Sequence, residues 1–488
     1  MWEMNKTIRR ASVFALLLVL ALLVRATWLQ FHDAKALADE TMNRRNAIRT
    51  YAEPLGDIIV AGDAVTGSRR TSGGDLAYKR TYKDGPLYAA VTGYSSQVYG
   101  ATQLEGIYKD LLDGSETRLK SPLDTLTNKR ADPGDVLTTI DPAVQKAGFK
   151  ALGDKKGAAV AIDPKTGRIL GMVSTPSYDP STISGSADGE AWKKLTDDSE
   201  NADKPMVNRA LRQPLPPGST FKLVVAAAAL EDGLYGSVDD RTDSPDPYTL
   251  PGTRTSIPND IKSAPCENAT LRTALQWSCN NVFTKLAVDL GEDKLRAQAE
   301  KFGFNAEKLD VPVRAGTSVY PKGMDKSSTG LTGIGQFDVT ATPLQIAMVS
   351  AALANGGELK SPHMVAKTTD SDGDVLRDYD GEAGAQRVVS ESTAEQLQSA
   401  MRTVVEKGTG TNARIDGATV GGKTGTAQHG ENNSKTPYAW FTSFAKGDDG
   451  KEVAVAVIVE SSGAARSEVS GNGLAAPIAA SMMRAALR

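Results

Sequence analysis

Histidine is scarce in this chain of 488 residues; only His32, His363 and His429 occur. A Ser-His-Asp triad or a histidine metal centre has little to draw on, since His32 adjoins an apolar segment and the other two read as surface residues. Cysteine is scarcer still, with Cys266 and Cys279 alone. No C-x2-C pair exists, so zinc is a poor reading. No G-x-x-x-x-G-K phosphate loop occurs, which argues against nucleotide use. The net charge of −3 at 24% charged residues lacks the basic excess of a nucleic-acid binder. No internal repeat is visible. What these absences leave is an ordinary globular composition, 40% hydrophobic, with room for two or more domains. If a serine is the nucleophile here, a lysine is the better candidate for its base.

Three short motifs carry the chemistry. In Pro216-Pro217-Gly218-Ser219-Thr220-Phe221-Lys222, followed by the apolar stretch 223–230, the prolines and glycine predict a turn into a helix start. Ser219 then lies in the first turn with Lys222 on the same face. A neutral amine beside a hydroxyl activates it as a nucleophile, and a helix N-terminus offers N–H groups to an oxyanion. Alone, S-x-x-K is a chance pattern, and most such pairs are solvated. Ser278-Cys279-Asn280 follows, then Lys-Thr-Gly, which occurs twice. Lys165-Thr166-Gly167 sits where a hairpin turn belongs, between strand signals at 158–162 and 169–173. Lys423-Thr424-Gly425 lies inside a strand signal, 420–427, whose glycines would thin the strand so that another backbone, such as a peptide substrate, can lie against it.

In this order the three motifs resemble those of the penicillin-binding proteins and class A β-lactamases. The chain is similar to the class B penicillin-binding proteins, and among them to the penicillin-binding protein A type. The segments 158–180, Asn208-Arg209-Ala210, 341–347 and Ala354-Asn355-Gly356-Gly357 carry the resemblance beyond the motifs, which is strong from about residue 139 onward. Cys279 stands where the lactamases have Asp. The resemblance implies an α+β fold, a penicillin-binding/β-lactamase-like transpeptidase domain in which a five-stranded antiparallel sheet with flanking helices meets a helical subdomain. It implies a serine D,D-transpeptidase that cross-links peptidoglycan stem peptides through an acyl-enzyme and is trapped by β-lactam antibiotics. No cofactor and no metal are expected.

By the same resemblance Ser219 is the nucleophile, Lys222 its base and Ser278 a proton relay, while Asn280 holds the substrate amide and contacts Lys222. The N–H groups of Ser219 and Thr426 form the oxyanion site. Lys423, Thr424 and Thr426, with Gly425 between the threonines, suit the substrate's terminal carboxylate. Burial and the neighbouring Lys423 are expected to keep Lys222 neutral. No E-x-x-L-N motif lies between Asn280 and Lys423, so the glutamate that drives hydrolysis in class A lactamases is missing. A D,D-carboxypeptidase is the enzymatic alternative. A slow β-lactam-binding sensor is another, disfavoured because ten residues before Ala11 leave no room for a cytoplasmic effector.

Lys6, Arg9 and Arg10 precede an apolar run from Ala11 to Val24, short for a span and long for a signal-peptide core. Extension to Phe31 reaches spanning length if Arg25 snorkels. Ala34-Lys35-Ala36 is a distant cleavage-site candidate, and Lys35, Arg44 and Arg45 leave charge-based orientation undecided. The family implies an uncleaved single-pass anchor in the cytoplasmic membrane, with the catalytic part outside. The expected division is a tail at 1–10, a span at 11–31, a small α+β pedestal or dimerisation-like module at 38–138 and a transpeptidase domain at 139–488. A glycan polymerase of the cell-wall machinery is the expected protein partner. An even cysteine count in an extracytoplasmic protein suggests a Cys266–Cys279 disulfide; two buried thiols are the alternative.

Overall fold

The computed structural model describes residues 2–29, 32, 44–119, 130–197, 203–430 and 433–488. The candidate cleavage segment 34–36, the end of the expected span at 30–31 and the start of the expected pedestal lie outside these residues. Near the N-terminus, helix α1 (Trp2–Trp28) contains 23 residues, Lys6–Trp28, long and apolar enough to cross a membrane. Its leucines and valines are exposed. An unbroken Leu/Ala/Val run without Gly or Pro both favours the helix and leaves it apolar all round.

The next unit begins with β1 (Ile58–Val60) and β2 (Asp63–Ala64), a hairpin of Thr66–Arg70 with Tyr78–Tyr82, and short helices, closing with β3 (Asp135–Thr138). β3 runs parallel to β1, Ile58 facing Val136. Helix α2 (Pro142–Leu152) opens the larger unit. Asp141 caps it, its carboxylate accepting from the N–H groups of Ala143 and Val144, and Pro142 supplies the preset first φ. Strands β4 (Lys156–Ile162) and β5 (Ile169–Thr175) form a hairpin closed by the first Lys-Thr-Gly copy, with Gly167 at φ 81°. That copy is a turn, as its flanks predict.

Helices α3 (Lys222–Glu231), α4 (Asn280–Leu290) and α5 (Pro343–Ala354) build the middle. An arm follows, with β6 (Val365–Thr369) and β7 (Val375–Asp378), and then helix α6 (Glu391–Lys407). The last segments are β8 (Ala418–Ala427), β9 (Tyr438–Gly447), β10 (Glu452–Ser461) and helix α7 (Ala476–Ala486). The main sheet has the order β8-β9-β10-β4-β5 and is antiparallel throughout, so the first and last strands of the unit close one sheet as expected. Side-chain alternation along β10 feeds two cores. Ala454, Ala456 and Ile458 join the core containing α3 and α5, while Val453, Val455, Val457 and Val459 join that of Ile478, Met482 and Met483 on α7.

One sequence expectation needs correction, and the structure adds a link across the expected boundary at 138/139. A second five-stranded sheet runs β7-β6-β3-β1-β2, with β6 antiparallel to β3, so the arm of the larger unit completes the pedestal. Val136 is fully buried there, and a central strand needs a partner on both edges. His363 is not a surface residue. It is 9% exposed, its Nε2 lying 2.9 Å from Asp380 and its Nδ1 3.1 Å from Ser361 O, where the arm leaves the main sheet.

Candidate active site

Ser219 lies in a single 3-10 turn, Gly218–Phe221, that runs directly into α3. Several contacts fix this turn. Gly218, at φ 53°, donates its N–H to Gly335 O at 3.1 Å, and Thr220 Oγ1 donates to Pro217 O at 2.8 Å. Trp440 Nε1 on β9 donates to Pro216 O at 2.9 Å. Phe221 packs among Phe304 and Tyr320 below. The nucleophile candidate is thus held on a buried aromatic base and is itself 8% exposed.

Lys222, the first residue of α3, is fully buried, with its ammonium nitrogen 5.4 Å from the Phe283 ring centre. Its Nζ donates to Ser278 O at 2.7 Å, to Asn280 Oδ1 at 2.7 Å and to Ser278 Oγ at 3.2 Å. Among the described residues its hydrogen bonds run to the second motif rather than to Ser219. Lys423 on β8, also fully buried, donates to the same Ser278 Oγ at 2.9 Å and to Thr424 O at 2.9 Å. One hydroxyl therefore bridges two amines. Burial drives the Lys222 amine well below the ordinary lysine value; Lys423 pushes it further down, and Asp260 opposes both. Burial likewise brings Lys423 down to about 7, again opposed by Asp260. Two desolvated lysines sharing a hydroxyl are a proton-transfer arrangement, because burial favours the neutral form of each amine.

The second motif is a corner between two helices. Ser278 ends helix Leu271–Trp277 in the left-handed region, φ 59° and ψ 42°, and Cys279 is the N-cap of α4. A non-glycine residue there is held by its surroundings. Cys279 is bonded to Cys266, with Cα atoms 5.5 Å apart. Among the described residues no group of three or more His, Cys, Asp or Glu side chains is arranged to hold a metal.

The glycines of the third motif leave room for the protein's own parts. A Cβ on Gly425 would lie 3.1 Å from Pro217 O, 3.1 Å from Thr220 Cγ2 and 3.0 Å from Trp440 Cβ, so this glycine lets β8 close on the Ser219 turn. Gly421 and Gly422 face the rings of Phe444 and Phe441. Thr424 is 8% exposed and shares a 2.8 Å hydroxyl–hydroxyl bond with Thr409, while Thr426 is half-buried. Sequence reasoning missed Thr409, in the loop after α6, and the segment Pro258–Asp260. Their only local signal is turn composition, Gly-Thr-Gly and Pro-Asn-Asp.

Comparison with known proteins gives the family. The family described as penicillin binding protein transpeptidase domain matches residues 157–484, and the penicillin binding protein A dimerisation domain matches residues 55–136. The peptidoglycan D,D-transpeptidase PbpA of Mycobacterium tuberculosis is 36% identical over 501 residues, 99% of each chain. Its namesake in Mycolicibacterium smegmatis is 36% identical over 499 residues, again 99% of each. The ceftriaxone acyl-enzyme complex of penicillin-binding protein A from M. tuberculosis superposes with a TM-score of 0.82 at 35% identity, covering 90% of this chain and all of that one. The chain belongs to the penicillin-binding protein transpeptidase family.

Proposed function

We propose that this chain is a peptidoglycan D,D-transpeptidase that works through an acyl-enzyme on Ser219. The observation that carries the assignment is the fully buried Lys222 amine, desolvated behind Ser219 and joined through Ser278 Oγ to a second buried lysine. Neutral Lys222 takes the proton of Ser219 as its Oγ attacks the carbonyl between the two terminal D-alanines of a stem peptide. The Ser219 N–H, in the first turn leading into α3, stabilises the oxyanion together with that of Thr426. The proton then reaches the leaving amine through Ser278, and D-alanine departs. An amine of a neighbouring stem peptide attacks the acyl-enzyme and gives its proton to Lys222, which passes it to the departing Ser219 Oγ, so the cross-link forms and the free enzyme is restored. Protonated Lys423, with Thr424 and Thr426, receives the substrate carboxylate.

A β-lactam enters the same path and stays as the acyl-enzyme, because its ring opens without releasing a leaving group. Relatives named as transpeptidases, and a relative captured with ceftriaxone as an acyl-enzyme, support this reading. Helix α1 supports a single-pass anchor in the cell membrane; we infer from the family that the catalytic unit lies on the outer side and works beside a glycan polymerase that supplies the strands. The test is penicillin labelling followed by peptide mapping. Stoichiometric label on Ser219, abolished by Ser219→Ala with the fold intact, is expected; undiminished labelling of the Ala variant overturns the assignment.

A further inference from the structure

The structure brings to the site a segment that none of the three motifs contains. Residues 257–260 cross the start of α4. Asn259 Oδ1 accepts from the N–H of Asn280 at 2.6 Å and from that of Asn281 at 3.3 Å. Pro258 O accepts from Asn280 Nδ2 at 2.9 Å. The first N–H groups of a helix have no intrahelical acceptor, and the N-cap normally supplies one. Here the N-cap is Cys279, which makes no side-chain cap because its sulfur is bonded to Cys266. Asn259 supplies the cap from twenty-one residues away.

The consequence reaches the base. An amide side chain has one acceptor oxygen and one donor nitrogen. With Asn280 Nδ2 given to Pro258 O, only Oδ1 is left to face Lys222, at 2.7 Å. Asn259 is itself locked. Its Nδ2 donates to Asn281 Oδ1 at 3.1 Å, and Asn281, fully buried, donates to the carbonyls of Ser244, Pro245 and Cys266 at 3.2, 3.1 and 2.9 Å. A chain of fixed amides runs from the buried loop to the catalytic amine.

We propose that Asn259 is a positioning residue of this active site, holding Asn280 so that its amide oxygen faces the Lys222 amine in the geometry acylation needs. The proposal rests on the acyl-transfer reading of the site. The groups that face Lys222 are Ser278 O and Oγ, Asn280 Oδ1, the Phe283 ring, the Lys423 amine and, acting at longer range, the Asp260 carboxylate. Asn280 Oδ1 is an acceptor that favours the protonated amine, so its loss lowers the proton affinity of Lys222.

The experiment measures acylation of the full chain by penicillin against pH, with wild type as the reference. If wild type is not labelled on Ser219, the reading of the site fails, and the Asn259 proposal with it. If it is labelled, Asn259→Ala is expected to lower the acylation rate constant about 10- to 100-fold, as small misplacements at reacting centres do. The non-covalent constant should change little, and the acid limb of the profile should move to lower pH. Asn259→Asp keeps the cap on both N–H groups and guards against a misfolded Ala variant. It adds a negative charge at the Asn280 N–H, one residue removed from the Lys222 amine, so its acid limb should move the other way, to higher pH. Asn280→Ala combined with Asn259→Ala should cost little more than Asn280→Ala alone, since one residue acts through the other. Additive losses in the double variant, or limbs unmoved in both single variants, overturn the proposal.

Discussion

Replacing Lys423 by Gln keeps most of its bulk and removes its charge. Both lysine amines bond to Ser278 Oγ, at 3.2 and 2.9 Å. They therefore lie within about 6 Å of each other, and at an effective dielectric of about 20 two unit charges repel by about 3 kcal/mol. That is about a hundredfold in proton affinity. A lysine serves as a base only when neutral, and repulsion by protonated Lys423 disfavours the charged form of Lys222, second to burial. Without the repulsion Lys222 holds its proton to higher pH, so less of it is neutral in acid. Lys423 itself titrates at about 7, so its effect is present below that value and fades above it. The expected result is an acylation rate constant down by as much as about a hundredfold near pH 6 and only slightly reduced near pH 9. Stopped-flow acylation over a range of penicillin concentrations separates this from the loss of carboxylate recognition, which appears in the non-covalent constant. A ratio of wild-type to variant rate constants that is the same at both pH values refutes the electrostatic coupling.

Three further outcomes are expected. Lys222→Met should reduce the acylation rate constant about 10²–10⁴-fold with little change in initial affinity; near-normal acylation would remove the lysine-base mechanism. Gly425→Ala places a methyl 3.0–3.1 Å from Trp440, Pro217 and Thr220. That should cost about 1–3 kcal/mol, seen as a lower calorimetric melting temperature together with slower acylation, and a variant unchanged in both contradicts the close approach of β8 to the Ser219 turn. The paired Cys266→Ser and Cys279→Ser change opens a short loop and should lose about 3 kcal/mol of stability in denaturant titrations. Two alkylatable thiols in wild-type protein from the cell envelope would show that the pairing does not form.

What could be read from the sequence follows the distance over which each interaction acts. Ser219 and Lys222 are one helical turn apart, so spacing alone places them together. The five main-sheet strands were legible because both faces are buried and each is bounded by turn residues, as the β4–β5 hairpin shows. Asn259 was not, because its bond to Asn280 spans an irregular loop and carries no periodic signal. The role of β6 was hidden for a similar reason. Val-Ala-Lys-Thr-Thr reads as a strand, but nothing local says that its partner is β3 of the preceding unit. The glycines of the third motif were identified but Trp440 and the Ser219 turn beside them were not, since a missing Cβ reports close approach without saying of what. His363 misled because a lone polar residue looks exposed until its carboxylate partner, Asp380, is seen.

The shared sheet also sets an order of events as the chain is made. β1, β2 and β3 emerge early, but β6 follows only after the segments that carry Ser219 and the Ser278 corner. Until then the edge of β3 stands open, and an open edge is a template for wrong pairing. Closing so long a loop is slow, because its entropy is lost before the contact is gained. The pedestal therefore cannot mature ahead of the catalytic unit. A chain cut short before residue 365 lacks the strand that finishes its own base as well as the last strands of its main sheet. Synthesis thus couples the two halves as all-or-nothing: an incomplete product is defective at both ends, and surveillance that senses unpaired strands has two places to find it.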